Sequence, residues 1–267
     1  MLRGIAIGQH YPVQSLLHSL DPRTKIVATL LYMFAVFLAA DYRMLLVLGI
    51  YSLLAVNLAN LPWRILWAGL RPLRWIICFT LIIHSLITPG GAMLWNWWRI
   101  AVYSEGILRG ILMSSRLILL ILTTSLLTLT TSPIALTDGL ERLLSIFKPL
   151  GFPAHEVAMM LTIALRFIPT LSEEGEKIFK AQTVRGVEFD RGNLLQRLQS
   201  LIPVLVPLFI GALRRAEDLA IAMEARCYRG GQGRGRFREL TFNLRDGVAL
   251  TLTLGVLALT LIAKTLS

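Results

Sequence analysis

Apolar runs of roughly membrane-span length, separated by short charged breaks, organise the first half of the chain. They cover Ile26–Ala40, Met44–Ala59, Leu73–Thr88 and Ile107–Thr131, and a fifth run, Val248–Ala263, stands near the C-terminus. The first two are short: at 1.5 Å per residue each extends about 22–24 Å, against a hydrocarbon core of about 30 Å. Snorkelling Arg and Lys side chains, or neighbouring protein, must cover their ends. The entry to the first run, LDPRTK, sets Asp21 as N-cap and Pro22 at the first helical position. Between the third and fourth runs, Trp95, Trp97, Trp98 and Tyr103 predict an aromatic belt at a membrane interface.

The pattern changes after Ser132. TSPIALTDGLERLLSIFKPLGFP predicts an amphipathic helix with Thr137 as N-cap and a stop over Lys148–Gly151. Two long periodic segments follow, Ala154–Arg185 and Leu194–Tyr228, each roughly 50 Å if continuous. Their first halves are almost uncharged (EVAMMLTIAL; LIPVLVPLFIGAL) and their second halves are charged (SEEGEKIFKAQTVR; RRAEDLAIAMEAR). Each is therefore expected to begin at lipid or protein depth and to end in water. Pro169, Pro203 and Pro207 allow kinks. The basic stretch GGQGRGRFREL then leads to the last run. The chain divides accordingly into a membrane region with four spans (1–132), a long-helix region (133–230) and a basic linker with a final span (231–267). The expected class is all-α, a polytopic membrane protein with about five transmembrane helices and long cytoplasmic helices.

The two long segments are an internal repeat. EKIFKAQTVRG (176–186) aligns without gaps on EDLAIAMEARC (217–227), and each apolar stripe runs on to an arginine. Arg185 lies three residues after Gln182, and Arg226 three after Met223. One such cation at a helix end simply complements the dipole, and the small residue after it ends the helix. Two in the same register point instead to paired cationic plugs, each offered to an acidic socket on a soluble partner. The planar guanidinium fork can hold a carboxylate bidentately. Ala212, Ala216 and Ala220, spaced four apart, would let another helix approach closely, as a helix crossing or a partner interface.

Composition fits a lipid solvent. Hydrophobic residues are 55% of the chain and charged residues 16%, against about 25% charged in soluble domains; mean hydropathy is +0.65. The net charge of +11 fits cytoplasmic loops and anionic headgroups. Arg3, Arg23, Lys25, Arg64, Arg71 and Arg74 put the N-terminus and the second loop in the cytoplasm, and an odd span count leaves Ser267 outside. The RGG-like stretch 229–238 is only ten residues between membrane-associated elements, so it reads as a basic loop and no nucleic-acid partner is expected. Cys78 and Cys227 form no CxxC pair, and the four histidines lack metal spacing. No phosphate-loop motif occurs, and His84–Ser85 has no carboxylate near it in sequence. No catalytic and no metal-binding residue is expected.

LDPRTK, TSPIALTDGLERLL, ALRFIPTLSEEGEKIFKAQTVRG and GALRRAEDLAIAMEARCY resemble the transmembrane coupling subunit of energy-coupling factor (ECF) vitamin and metal-ion importers. That group includes the cobalt-transport Q subunits. The resemblance covers nearly the whole chain and is strongest over 133–230. It implies that the long helices are coupling helices, each ending in an Ala-Arg-Gly motif that docks into a groove on one of two ATPase subunits. Here the motifs are Val184-Arg185-Gly186 and Ala225-Arg226-Cys227. Val stands in place of Ala in the first and Cys in place of Gly in the second, so Cys227 is expected to end its helix less sharply, with Gly230 as the stop. The implied partners are two cytosolic ABC-type ATPase subunits, a substrate-binding membrane subunit and the lipid bilayer. ATP is used by those partner subunits, and no cofactor is bound by this chain. The implied location is a bacterial cell membrane, with the N-terminus cytoplasmic. Two rival classes fit less well. A lipid-headgroup transferase needs a carboxylate cluster at the interface, but the acidic groups here are helix-face residues with paired bases. A channel needs polar lining, which the first two runs scarcely offer.

Overall fold

The computed structural model describes residues 11, 13, 15–90, 92–97, 100–189, 191, 193–228, 230 and 241–266. Their helices are α1 (Pro22–Leu38), α2 (Tyr42–Ala59), α3 (Trp63–Leu70), α4 (Arg74–Ile87), α5 (Ser104–Thr130), α6 (Pro133–Leu144), α7 (Ala154–Val184), α8 (Leu194–Ala225) and α9 (Leu244–Leu266). A short antiparallel hairpin, β1 (Met93–Trp97) and β2 (Ile100–Tyr103), precedes α5. These residues form two compact units, one within 11–140 and 241–266, the other within 141–230.

In the first unit the helix starts are tied together by carboxylates. Asp21 accepts the Arg23 N–H at 2.9 Å with Pro22 in the first helical position, as LDPRTK predicts. Asp246, fully buried, accepts the Asn243 N–H at 2.9 Å with one oxygen and the Asp21 N–H at 2.8 Å with the other. It is half of a capping box whose second oxygen reaches another helix, and it pins the start of α9 to that of α1. The two helices run parallel from there, and Val256 and Leu257 pack on the cluster of Tyr32, Ala35 and Val36. By contrast α5 runs antiparallel to α1: Lys25 Nζ donates to the Thr130 carbonyl at 3.0 Å, and Arg116 Nη2 to the Ala39 carbonyl at 2.5 Å. Arg116 thus satisfies a carbonyl at the C-terminal end of α1, the favourable place for a cation.

Close packing of α4 on α5 comes from Gly106, Gly110 and Ser114, four apart. A Cβ on Gly106 would sit 2.9 Å from the His84 and Thr88 carbonyls, and one on Gly110 would sit 3.0 Å from the Leu81 carbonyl. Ser114 Oγ completes the row by donating to the Ile77 carbonyl at 3.4 Å. Small residues in such a row let two backbones approach where lipid offers no hydrophobic drive to pair.

Several elements differ in detail from the sequence expectation. The stretch holding Arg64 and Arg71 is not a loop: α3 passes through a 3-10 turn into α4, and Trp63–Ile87 is one apolar unit. Thr137 is not an N-cap. α6 begins at Pro133 behind Ser132, whose Oγ accepts the Ala135 N–H at 3.3 Å, while Thr137 Oγ1 bonds back to the Pro133 carbonyl. A Ser-Pro pair offers both a cap and a pre-set first residue, and it wins over a lone threonine further on. The tryptophan-rich segment is the hairpin, with Trp98 outside the described residues. The all-α polytopic class stands. Among the described residues, six segments are long and apolar enough to cross a membrane: α2, α3–α4, α5, α7, α8 and α9. The apolar α1, with 17 residues, is about 25 Å long.

Candidate functional site: two capped arginine ends

In the second unit α7 and α8 pack antiparallel. Gly175 lies against Leu208, Gly211 against Glu174, and Gln182 Nε2 donates to the Pro203 carbonyl at 3.3 Å. Arg215 Nη2 bonds Glu174 Oε2 at 2.6 Å. The numbers rise on one helix as they fall on the other, which fixes the direction. Small residues at 175 and 211 allow the approach. Pro207, four residues further along α8, has no N–H to donate, which leaves the Pro203 carbonyl free to accept from Gln182.

Both helices end in the same way. The Gly186 N–H donates to the Thr183 carbonyl at 3.0 Å, and the Val187 N–H to the Gln182 carbonyl at 3.0 Å. One repeat later the Cys227 N–H donates to the Glu224 carbonyl at 2.8 Å, and the Tyr228 N–H to the Met223 carbonyl at 3.0 Å. Each is a Schellman cap, with the arginine as the last half-helical residue and the next residue left-handed. Gly186 has φ +90° and Cys227 φ +54°. The expectation for Cys227 is therefore corrected: it takes the left-handed turn itself, and α8 ends as sharply as α7, ahead of Gly230. Two cap hydrogen bonds outweigh the steric cost of a Cβ in that conformation, which is about 1–2 kcal/mol.

Val184, Arg185 and Gly186 are exposed, Val184 at 89%. Ala225, Arg226 and Cys227 are exposed too. Neither arginine side chain has an ion-pair or hydrogen-bond partner among the described residues, so both guanidinium forks are available. The alanine row is divided. Ala212 is half-buried, whereas Ala216 and Ala220 are exposed, and the covered stripe of α8 runs instead through Leu208, Gly211, Arg215, Leu219 and Met223. Sequence reasoning passed over Glu174 and Arg215, although a signal was there. They occupy the same position of the repeat, 41 residues apart, with opposite charge.

Apolar helices of span length, together with a crossed helix pair with exposed cationic ends, define a multi-pass α-helical membrane protein. Comparison with known sequences makes this specific. The family model described as cobalt transport protein (CbiQ) matches residues 13–237. A protein of Acidaminococcus fermentans is 53% identical over 248 residues, covering 93% of this chain and 92% of the relative. One of Heliobacterium modesticaldum is 51% identical over 259 residues, 97% of each chain. One of Bacillus subtilis is 46% identical over 246 residues, 92% of this chain and 93% of the relative. All three carry the name energy-coupling factor transporter transmembrane protein EcfT. The chain belongs to the CbiQ family, that of the transmembrane components of ECF transporters.

Proposed function

We propose that this chain couples ATP hydrolysis on two cytosolic ABC-type ATPase subunits to uptake of a vitamin or metal ion by a separate substrate-binding membrane subunit. The observation that carries the reading is the pair of ends: two exposed arginines, identically capped, each eleven residues beyond the Glu174–Arg215 pair. At 1.5 Å per residue each arginine stands about 16 Å from the crossing along its own helix, on opposite sides. A helix pair standing across the bilayer would put one arginine on each face of the membrane. Docking on two cytosolic subunits needs both on one face, so the pair lies along the cytoplasmic surface although each helix is long enough to span.

When the ATPase pair closes on nucleotide, the two docked ends are drawn together or turned. Rigid helices held at one crossing convert that movement into a change of crossing angle, and their exposed apolar faces pass it to the substrate-binding subunit. The chain itself performs no chemistry and binds no cofactor; ATP is consumed by its partners. Ala216 and Ala220, uncovered within the chain, belong to the partner interface in this reading. The protein resides in a bacterial cell membrane with its N-terminus in the cytoplasm.

The deciding variant is Arg185→Glu/Arg226→Glu. Leaving a buried carboxylate unpaired in each socket costs about 3–5 kcal/mol, so ATPases should no longer co-purify and ATP-driven uptake should stop at normal abundance of this chain. If the arginines are only dipole caps, each loss is about 0.3–1 kcal/mol and the complex is recovered intact. Stoichiometric ATPase with the double variant would refute the docking role.

A further inference from the structure

The two ends share a backbone cap but not their surroundings. Tyr228, one residue past Cys227, places its hydroxyl 3.4 Å from His155 Nε2. The other ring nitrogen of His155, Nδ1, lies 3.1 Å from Glu141 Oε1. The carboxylate is well covered, with 14% of its side chain exposed, and the imidazole is half-buried at 32%. One short chain of polar groups therefore joins the end of α8 to the first turn of α7 and to the last turns of α6. At the Arg185 end the equivalent residue is Val187, which has no polar side chain to offer. There Phe189 stacks on Phe179, at 4.2 Å between ring centres, a contact with the same helix that has just ended.

We propose that His155 and Glu141 are positioning residues that brace the Arg226 docking end and not the Arg185 end. This rests on the docking reading above and adds to it an inequivalence between the two ATPase contacts. A helix terminus frays unless something outside the helix holds it. The brace fixes where Arg226 stands, so a pull on Arg226 moves the start of α7 and the end of α6 together with α8. A pull on Arg185 acts on an end of α7 that carries no such brace, and it reaches α8 through the crossing and, at the far end of α7, through His155. The Arg226 end is thus the fixed member of the pair, and the Arg185 end the one that adjusts.

Single-end backgrounds test this in the full chain, in native membranes, with the ATPase subunits that co-purify with the unmodified protein. In Arg185→Glu the complex depends on the second end; in Arg226→Glu it depends on the first. Adding His155→Ala, Glu141→Gln or Tyr228→Phe to Arg185→Glu should lower ATPase recovery about 2- to 10-fold, the range expected for one lost hydrogen bond. The same changes in Arg226→Glu should leave recovery unchanged. Tyr228→Phe removes one oxygen and keeps the ring, so its result does not depend on refolding of the site. His155→Ala and Tyr228→Phe combined should lose no more than either alone, because they break one chain. Equal loss in both backgrounds, or none in Arg185→Glu, would overturn the brace. If Arg185→Glu/Arg226→Glu together still recover the ATPases, the docking reading itself fails, and that shows before His155 is altered.

Discussion

Glu174 on α7 and Arg215 on α8 meet at 2.6 Å, and they are the same position of a 41-residue repeat. An antiparallel contact between equivalent positions is what a local two-fold axis produces, and such an axis sets both arginine ends equally far from the crossing. The pair also fixes register, since a one-turn slip would leave both charges without a partner.

Reversing one charge should show this. Glu174→Arg places two guanidinium groups together, and the swap Glu174→Arg/Arg215→Glu restores the attraction. Both side chains are about one-third exposed, so the pair itself contributes about 1 kcal/mol or less. The expected outcome is normal abundance in both variants, reduced ATP-driven uptake in Glu174→Arg, and recovery in the swap. Uptake that stays low in the swap would mean that the identity of each residue matters, rather than the pairing.

The left-handed caps give a second expectation of opposite sign at the two ends. Cys227→Gly removes a Cβ from a conformation that penalises it and should strengthen the end of α8 by about 1 kcal/mol. Gly186→Ala puts a Cβ into the same conformation and should weaken the end of α7 by a similar amount. Amide exchange at Val187 and Tyr228, whose N–H groups close the two caps, reports each change. Slower exchange at Tyr228 and faster exchange at Val187 are expected.

The sequence pattern predicts most of the helices because lipid solvent leaves few other ways to satisfy the backbone. LDPRTK declares its own cap, and the matching endings at Arg185 and Arg226 follow from the gapless repeat. Pairing is harder to read. Ala212, Ala216 and Ala220 have the spacing of a close crossing, yet the row used between α4 and α5 is Gly106, Gly110 and Ser114. Spacing says that a helix can be approached, not which neighbour approaches it. His155, Glu141 and Tyr228 are scattered over 88 residues, and only the antiparallel fold of α7 and α8 brings them together.

Topology is open to direct measurement. The Asp21–Asp246 staple makes α1 and α9 parallel, so both leave from the face where Arg23 and Lys25 lie. With that face cytoplasmic, Thr265 near the end of α9 lies outside. A Thr265→Cys variant in a background with Cys78 and Cys227 replaced should react with an impermeant thiol reagent on intact cells. Labelling only after permeabilisation would invert the whole arrangement.

Enlarging small residues separates rows that the fold uses from rows left for a partner. Gly110→Leu pushes a side chain into the Leu81 backbone, where even a Cβ has only 3.0 Å. Overpacking of this kind costs about 1–3 kcal/mol, so this variant should lose abundance and thermal stability in detergent. Ala216→Leu meets no such wall, because Ala216 is exposed within the chain. It should accumulate and melt like the unmodified protein, and still recover its ATPases. If the substrate-binding subunit packs on that face, uptake falls nonetheless, and co-purification of that subunit falls with it. Unchanged uptake in Ala216→Leu would show that the face looks into lipid, and would move the partner contact to the other exposed apolar residues of α8.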